Sequence, residues 1–258
     1  RIITGWKKGQ GALWQTEIPE VKQGGWYFHQ LFVNGERRQP ARSPNEGWLR
    51  MEGPVVPYKK ATPPPPGANL RNQFKFKTGD LNPTWHNLAD VRLFLYHSWT
   101  TSMHWIGDID ESARVVHLTN PSQWPLGWWE REQRYHVENV REALDAPGEW
   151  YLDRKTGILE YFPKPGEDMT QAQVIAPVLT QLVLIDGSWE QKQWVRNVTL
   201  RGLSFQHADW SFPDKTKAVD GQGAVSLTGA IHANGARHLV LEQCEIAHVG
   251  GYALALDA

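Results

Sequence analysis

Two short apolar segments late in the chain each end on a polar side chain that could do chemistry. Residues 230–234 and 253–257 align at an offset of 23, which sets Asp257 opposite Asn234. A carboxyl group can give or take a proton, so it can act as a general acid or a general base. Asp257 is therefore a catalytic candidate, with His232 and Asn234 as substrate contacts. The alternative is a turn-forming Asp at a corner of the chain.

A second polar and aromatic group leaves another apolar segment. His207, Asp209 and Trp210 lead into residues 211–222, a predicted loop long enough to line a cleft. Asp209 could supply a carboxylate. Trp210 could stack on a sugar ring, because Trp combines a flat apolar face with one N–H donor. The alternative for His207 is a repeated corner residue, since His248 occupies the same position 41 residues later.

Charge and missing motifs exclude several classes of protein. Lys and Arg number 27 against 28 Asp and Glu, which argues against nucleic-acid binding. No apolar run reaches the roughly 18 residues of a membrane span. No H-E-x-x-H or C-x-x-C motif occurs, so we predict no metal site. Residues 221–223 lack the third glycine of a phosphate loop, so we predict no nucleotide and no cofactor. No obligate protein partner is indicated.

The composition favours carbohydrate as the partner. The chain has 14 tryptophans in 258 residues, and each could serve as a platform for a sugar ring. The competing interpretation is that a β-rich protein uses Trp to fill its core. Since His, Asn and Gln are frequent around these rings, the set as a whole favours sugar binding.

A repeat indicates how the later residues are positioned. Residues 197–207 and 238–248 align without a gap at an offset of 41, with matching apolar positions and a final His. Interpreted as two turns, the offset gives about 20 residues per turn, a size typical of solenoids. We expect Val, Leu, Ile and Phe to point inward and Arg201, Glu242 and Glu245 to point outward.

The earlier residues predict a different, hairpin-rich region. Asn-Gly at 34–35 predicts a type I′ turn that joins strands at 26–33 and 36–42. Residues 52–69 contain four consecutive prolines and predict an extended loop. Apolar spacing over residues 134–145, followed by Pro-Gly, predicts the one helix of the chain.

Together these patterns divide the chain into three segments. Residues 1–25 are predicted to be N-terminal strands of the β-helix region, 26–173 an inserted β-rich domain, and 174–258 the coils of a parallel β-helix. The sequence stops directly after a predicted coil strand. Because an uncapped solenoid would expose its core, we expect the coils to continue beyond residue 258.

Three groups of residues carry a resemblance to known proteins: 31–38 with 41–45, 135–139 with 148–153 and 156–157, and 198–205. They resemble right-handed parallel β-helix glycoside hydrolases of families 120 and 141. The resemblance covers most of the chain and implies a right-handed parallel β-helix, truncated at its C-terminal side, with an inserted antiparallel β-sandwich-like domain. In these enzymes the cleft between the two parts holds sugar.

The resemblance also ranks the candidate site residues. It implies that the catalytic acids lie in the later part of the helix, which makes Asp257 the best single carboxylate, with its partner one coil further on. It implies sugar contacts at His97 and Trp99, in a polar and aromatic stretch that also contains His104. The alternative for this stretch is an edge strand whose aromatic face lies in a core.

The resulting expectation is a secreted or periplasmic bacterial glycoside hydrolase. Its substrate would be a complex polysaccharide or oligosaccharide of plant cell-wall type. One alternative is a polysaccharide lyase, which the scarcity of Lys and Arg in 203–258 disfavours because lyases act on anionic sugars. The other alternative is a non-catalytic glycan-binding surface solenoid, which would keep the Trp platforms without a pair of facing carboxylates.

Overall fold

Short strands dominate the secondary structure. The computed structural model describes residues 1–56, 70–212 and 226–257. Strands account for 42% and helices for 4%, so the protein belongs to the mainly β class. The helical elements in the described ranges are the α-helix α1 (Pro19–Lys22) and two 3-10 turns, Leu88–Asp90 and Arg141–Ala143.

The strands fall into the three described ranges of the chain. Residues 1–56 contain β1 (Ile2–Ile3), β2 (Lys7–Lys8), β3 (Trp14–Glu17), β4 (Leu31–Val33), β5 (Glu36–Pro40), β6 (Arg42–Ser43), β7 (Leu49–Arg50) and β8 (Gly53–Pro54). Residues 70–212 contain β9 (Gln73–Lys75), β10 (Arg92–Tyr96), β11 (Thr101–Asp110), β12 (Val115–Leu118), β13 (Arg134–Glu138), β14 (Glu149–Leu152), β15 (Ile158–Tyr161), β16 (Val174–Ile175), β17 (Val183–Asp186), β18 (Val195–Arg196), β19 (Thr199–Arg201) and β20 (Ser204–Ala208). Residues 226–257 contain β21 (Gly229–Asn234), β22 (Ala236–Arg237), β23 (Val240–Glu242), β24 (Glu245–Val249) and β25 (Tyr252–Asp257).

The first sheet gathers strands from both ends of the first 176 residues. Its eight strands lie in the order β1-β16-β4-β5-β14-β15-β3-β2. The predicted hairpin at residues 34–35 is confirmed: β4 and β5 pair antiparallel, and Asn34 and Gly35 have φ of 52° and 79°. Trp150 is fully buried in this sheet and donates its Nε1 proton to the carbonyl of Arg38.

The second sheet is curled into a half-barrel. Its strands lie in the order β6-β13-β10-β11-β12-β9-β8, with β7 paired to β13. The register of β11 against β12 shifts between Ile106 and Asp108, with Gly107 at the shift. A bulge at a glycine lets a long strand bend, and the apolar side chains of this sheet form one buried cluster on its inner face.

The helix predicted over residues 134–145 is wrong. Residues 134–138 form β13, which pairs with β10 on one edge and with β6 and β7 on the other. Tyr135 and Val137 lie opposite Leu95 and Leu93, and all four are buried. Apolar residues at every second position are typical of a strand, whereas a helix repeats every 3.6 residues. Pairing with the neighbouring strands selects the strand period here.

A parallel section follows, which we define as residues 183–257. Its strands form four small sheets, β17-β21-β25, β18-β22, β19-β23 and β20-β24, and every pair is parallel. Leu200 lies opposite Leu241, so the offset of 41 separates adjacent strands. The interpretation of this offset as two turns of about 20 residues each is therefore wrong. The offset of 23 also links neighbours, since Asn234 lies opposite Asp257.

The expected fold class, a right-handed parallel β-helix with an inserted antiparallel β-sandwich-like domain, is wrong for this chain. Most of the strand residues lie in the two eight-stranded sheets, one of them a half-barrel, while the parallel pairs form several separate sheets. Strands of residues 1–25 pair with β15 and β16, so they do not begin the parallel section as predicted. The repeat at an offset of 41 residues covers too little of the chain to determine its overall fold class.

Two predicted loops fall largely outside the described residues. Of the proline-rich loop at 52–69, residues 57–69 are not described, while Gly53–Pro54 pairs with β9. Of the loop at 211–222, only residues 211 and 212 are described. In the described ranges, no helix combines the length and apolar character of a membrane span.

Candidate functional site

A cavity of about 580 Å³ lies beside the predicted site residues Asp209 and Trp210, where the two sheets meet the parallel section. We call it the junction cleft. Its lining includes side chains from the segment before β4, from β11, from the β14–β15 turn and from the segment after β20. Those that matter below are Tyr27, His29, Trp105, Arg154, Asp209 and Trp210.

Asp209 is buried where β20 ends, and its carboxylate is surrounded by donors. The backbone N–H of His29 lies 3.1 Å from Oδ2, Nδ1 of His29 lies 3.3 Å from Oδ2, and Nε2 of Gln30 lies 3.2 Å from Oδ1. The backbone N–H of Asp209 donates to the carbonyl of Leu179. The predicted catalytic carboxylate thus ties the parallel section to the first sheet.

A glycine permits this close approach. A Cβ atom on Gly250 would lie 2.5 Å from Nε2 of Gln30 and 2.8 Å from the carbonyl carbon of Asp209. Both distances are shorter than real Cβ contacts, so the turn between β24 and β25 needs glycine here. Gln30 also donates to the carbonyl of Ala208, which fixes the amide beside the cleft.

The contact with Asp209 determines which ring nitrogen of His29 carries a proton. A carboxylate only accepts hydrogen bonds, so Nδ1 donates and Nε2 keeps its lone pair. Burial lowers the pKa of His29 below its ordinary value, an effect that the hydrogen bond to Asp209 opposes. His29 therefore presents a neutral ring near pH 7, protonated on Nδ1 and unprotonated on Nε2, with Trp210 packed 4.4 Å away between ring centroids.

Aromatic faces and one guanidinium complete the cleft. Trp210 meets Phe212 edge-on at 5.7 Å, and Arg154 lies 3.5 Å above the ring of Tyr27. Arg154 also approaches Asp90, with 3.6 Å between Nε and Oδ1. Flat apolar faces beside a few fixed polar groups can bind a sugar ring while bonding its hydroxyl groups.

A second group of site candidates lies on the sheet β17-β21-β25. Asp186, Asn234 and Asp257 are register partners, so their side chains point to the same face. We call these three residues the carboxylate row. Asn234 donates to the carbonyl of Gly187, while Asp186 and Asp257 are exposed. Two strand spacings separate their backbones by roughly 9.5 Å.

His232 connects the row to a cavity of about 500 Å³. Its Nε2 lies 2.7 Å from Oδ2 of Asp257, and its Nδ1 lies 3.5 Å from Oγ1 of Thr228. Thr228 accepts a hydrogen bond from Gln181, whose neighbour Thr180 lines the junction cleft. The hydrogen bond between Gln181 and Thr228 therefore links two chain segments that line different cavities.

The two predicted catalytic carboxylates do not face each other. Asp209 lies beside Gly250, before β25 begins, whereas Asp257 is the last residue of that strand. At about 3.3 Å per residue, the length of β25 separates the two carboxylates by about 20 Å. Asp209 therefore cannot serve as the partner of Asp257 in one bond cleavage.

The predicted sugar contacts His97 and His104 lie in the core of the second sheet. Nε2 of each ring bonds Oγ of Ser102 at 2.7 Å, Nδ1 of His104 donates to the carbonyl of Asn120, and Nδ1 of His97 accepts from Gln133. Burial lowers the pKa of both histidines to about 4. With all ring nitrogens bonded inside the protein, these side chains position the sheet and do not reach a ligand.

Trp99 and His207 also lie away from the junction cleft. Trp99 is 53% exposed, and its ring centroid is 4.9 Å from that of Trp129. His207 stacks on His248 at 5.0 Å and meets Phe32 edge-on, which suits the alternative interpretation as a repeated corner residue.

The sequence interpretation missed His29, Tyr27, Trp105, Arg154 and Asp186. His29 is separated from Asp209 by 180 residues, so no local spacing could connect them. Asp186 could have been found by aligning the residues of β17 with those of β21. The repeat at an offset of 41 does not include this pair of strands. Among residues 1–56, 70–212 and 226–257, no three His, Cys, Asp or Glu side chains gather in a way that could hold a metal ion.

Comparisons with known proteins give one informative likeness. No protein-family model and no curated protein matches the sequence. A solved structure named glycoside hydrolase is similar in fold, with a TM-score of 0.76 and 19% sequence identity over 97% of this chain and 47% of that one. The chain therefore spans about half the length of the structure it matches. At this identity the likeness shows a shared fold.

Proposed function

We propose that the protein is a glycoside hydrolase that binds a complex polysaccharide or oligosaccharide along the junction cleft and cleaves it at the carboxylate row. The observation that carries the proposal is the row itself, with Asp186 and Asp257 exposed on one face and Asp257 lining a cavity of about 500 Å³. The fold likeness to a glycoside hydrolase over 97% of the chain supports it. A plant cell-wall glycan, a secreted or periplasmic location, and membership of families 120 or 141 belong to the same proposal.

The separation within the row favours one stereochemical course. Inverting glycosidases hold their two carboxyl groups about 6.5–9.5 Å apart, whereas retaining enzymes hold them about 5–5.5 Å apart. Register partners on one face of a sheet point the same way, so we take the carboxyl groups of Asp186 and Asp257 to be about as far apart as their backbones, roughly 9.5 Å, at the upper limit of the larger range. We assign Asp257, held by His232, as the base and Asp186 as the acid.

The proposed step balances without a further reactant. Asp257 takes a proton from water as the water oxygen bonds to the anomeric carbon. Asp186 gives its proton to the glycosidic oxygen as the bond from that oxygen to the anomeric carbon breaks. The product carries the inverted anomeric configuration, and later proton exchange with solvent restores both carboxyl groups.

The test uses the full-length protein and a panel of plant and bacterial glycans, with product masses read by mass spectrometry. We expect fragments that have gained water. Asp257→Asn and Asp186→Asn should each lower kcat by about 10²–10⁴-fold while sparing glycan binding. Asp168→Asn is the matched control, because that exposed carboxylate bonds Thr170 in a turn and lines neither cavity.

Other outcomes assign other functions. Unsaturated fragments would identify a lyase, and full turnover by both row variants would remove the row from the mechanism. A glycan that binds but stays intact would favour the second candidate, a non-catalytic glycan-binding protein. The observation in favour of that candidate is the exposed aromatic cluster of Trp99, Trp124 and Trp129 on the second sheet.

A further inference from the structure

We propose that His29 selects the sugar bound in the junction cleft by accepting a hydrogen bond from a hydroxyl group at Nε2, and that Asp209 is the positioning residue that holds this nitrogen ready. The inference rests on the proposed function, because it assumes a carbohydrate ligand. It assigns His29 a role in specificity and gives Asp209 a role other than cleavage.

The first step concerns the carboxylate, which is fixed before any ligand arrives. Oδ2 receives the backbone N–H of His29 and Oδ1 receives the amide of Gln30. Gly250 packs against the backbone of Asp209 and the amide of Gln30, leaving no room for a side chain at residue 250. The carboxylate therefore cannot rotate away from Nδ1 of His29 without breaking several contacts.

The second step concerns the imidazole. Because Nδ1 donates to Asp209, the lone pair is on Nε2. Trp210 covers a face of the ring at 4.4 Å, and Tyr27 meets it edge-on at 5.1 Å. His29 lines the cleft, its side chain keeps some exposure, and no described residue bonds Nε2.

The third step concerns the ligand. A ring nitrogen with a lone pair accepts a hydrogen bond and cannot give one, so it selects a group that carries a proton, such as a sugar hydroxyl. The charges facing the ring are those of Asp209, Arg92 and Arg154, and Arg37 lies near Asp209. Since Asp209 and Arg154 both have internal partners, the cleft suits an uncharged sugar ring better than a uronate.

The proposal predicts how binding depends on pH. Burial is the main cause that lowers the pKa of His29, and Arg92 and Arg154 act in the same direction. Nε2 therefore stays an acceptor at pH 7 and becomes a donor only below the ordinary histidine range. Affinity should be constant above about pH 6.5 and should fall in more acid solution.

The experiment compares oligosaccharide affinity and the position of the imidazole proton. Affinity is measured by calorimetry with an oligosaccharide from the glycan panel, and the proton is located by ¹⁵N NMR. We expect the wild-type ring to carry its proton on Nδ1. His29→Phe keeps an aromatic ring without the acceptor and should weaken binding about three- to tenfold, while His29→Gln, with an amide oxygen, should recover part of the affinity.

A second variant tests the positioning role. Asp209→Asn removes the charge that holds the proton on Nδ1, so the ring can shift its proton to Nε2 and lose the acceptor. We expect the altered NMR signature together with weaker binding and a changed pH profile. The control is His86→Phe, because His86 bonds Asp153 at 3.1 Å in a similar pair that is not part of the cleft lining.

The outcomes separate this inference from the hydrolase proposal. A wild-type imidazole protonated on Nε2, or unchanged affinity in His29→Phe, overturns the inference even if the protein cleaves glycans. Binding without cleavage overturns the hydrolase and leaves the role of His29 standing. A protein that binds no glycan in the panel overturns both. Melting temperatures of all variants identify any loss that comes from unfolding.

Discussion

The two sheets and the parallel section bury their apolar side chains to very different degrees. All the clusters of buried apolar residues in the described ranges lie within residues 3–176. In the parallel section, Leu184, Leu203 and Leu256 are 57%, 45% and 64% exposed. Buried apolar area is the main source of stability, so the free energy of unfolding resides mostly in the two sheets.

This difference in burial indicates that one region provides most of the stability while another presents the polar side chains. The sheets supply a closed core, and their buried histidines have no nitrogen left for a ligand. The parallel section holds its polar side chains in exposed rows at a fixed strand spacing, which suits action on a long polymer. Asp209 joins the two regions through His29 and Gln30, so the junction cleft forms where a stable region meets an open one.

The largest expected effect comes from truncating the core of the first sheet. Trp150→Ala removes a fully buried indole and its hydrogen bond to Arg38, and should lower the free energy of unfolding by about 3–5 kcal/mol. Leu203→Ala, in the parallel section, should cost less than about 1 kcal/mol because the side chain is 45% exposed. Urea unfolding measures both, and equal losses would contradict the comparison.

Acid should weaken the second sheet before the parallel section. His97 and His104 have pKa values of about 4 when folded and an ordinary value of 6.5 when unfolded. Between these limits the unfolded chain binds protons that the folded chain does not. Stability is therefore complete above about pH 6.5 and is lost as the pH falls toward 4, by up to roughly 3 kcal/mol for each histidine.

Hydrogen exchange at pH 7 and pH 5 provides the measurement. Amides of β10 and β11 should lose protection at the lower pH after correction for intrinsic exchange rates. Amides of the parallel section should lose less protection. They exchange through local openings of that section, which do not expose His97 or His104. A greater loss of amide protection in the parallel section than in β10 and β11 would contradict the prediction. It would show that the buried hydrogen bonds of His97 and His104 to Ser102 do not control the acid sensitivity.

The sequence predicted the local pairings and failed on the architecture for identifiable reasons. The turn at Asn34-Gly35 and the alignment of Asn234 with Asp257 depend on backbone preference and on side-chain alternation, which neighbouring residues determine. The order of the first sheet depends on β1 meeting β16, with Ile2 opposite Ile175, and no local pattern encodes that contact.

The candidate site, like the fold, could be predicted from the sequence only in part. The sequence found Asp257, Asp209 and Trp210, each of which lines a cavity, because polar residues after apolar strands are easily recognised. It could not tell that Asp209 holds a histidine 180 residues earlier. For residues 96–105, the sequence allowed either a stretch that contacts sugar or an edge strand whose aromatic face lies in a core. It gave no means of deciding that His97 and His104 are buried while Trp99 is exposed.

The smallest expected effect concerns Trp99, which tests whether the second sheet also contributes to binding. Its exposed ring lies in the turn just before β11, the strand that carries Met103 and Trp105 to the junction cleft. Six residues of extended chain span about 20 Å, so a long glycan could contact both places. Trp99→Ala should weaken polymer binding by about 1 kcal/mol and change the free energy of unfolding by less than about 0.5 kcal/mol.

Calorimetry with a polymer and with a short oligosaccharide provides the measurement for Trp99→Ala. The oligosaccharide, confined to the junction cleft, is the internal control and should bind the variant as tightly as the wild type. A loss of stability with unchanged polymer affinity would instead place Trp99 with the core of the second sheet. Equal weakening for both ligands would mean that the variant disturbs the cleft through β11, since the ring itself is not part of the cleft lining.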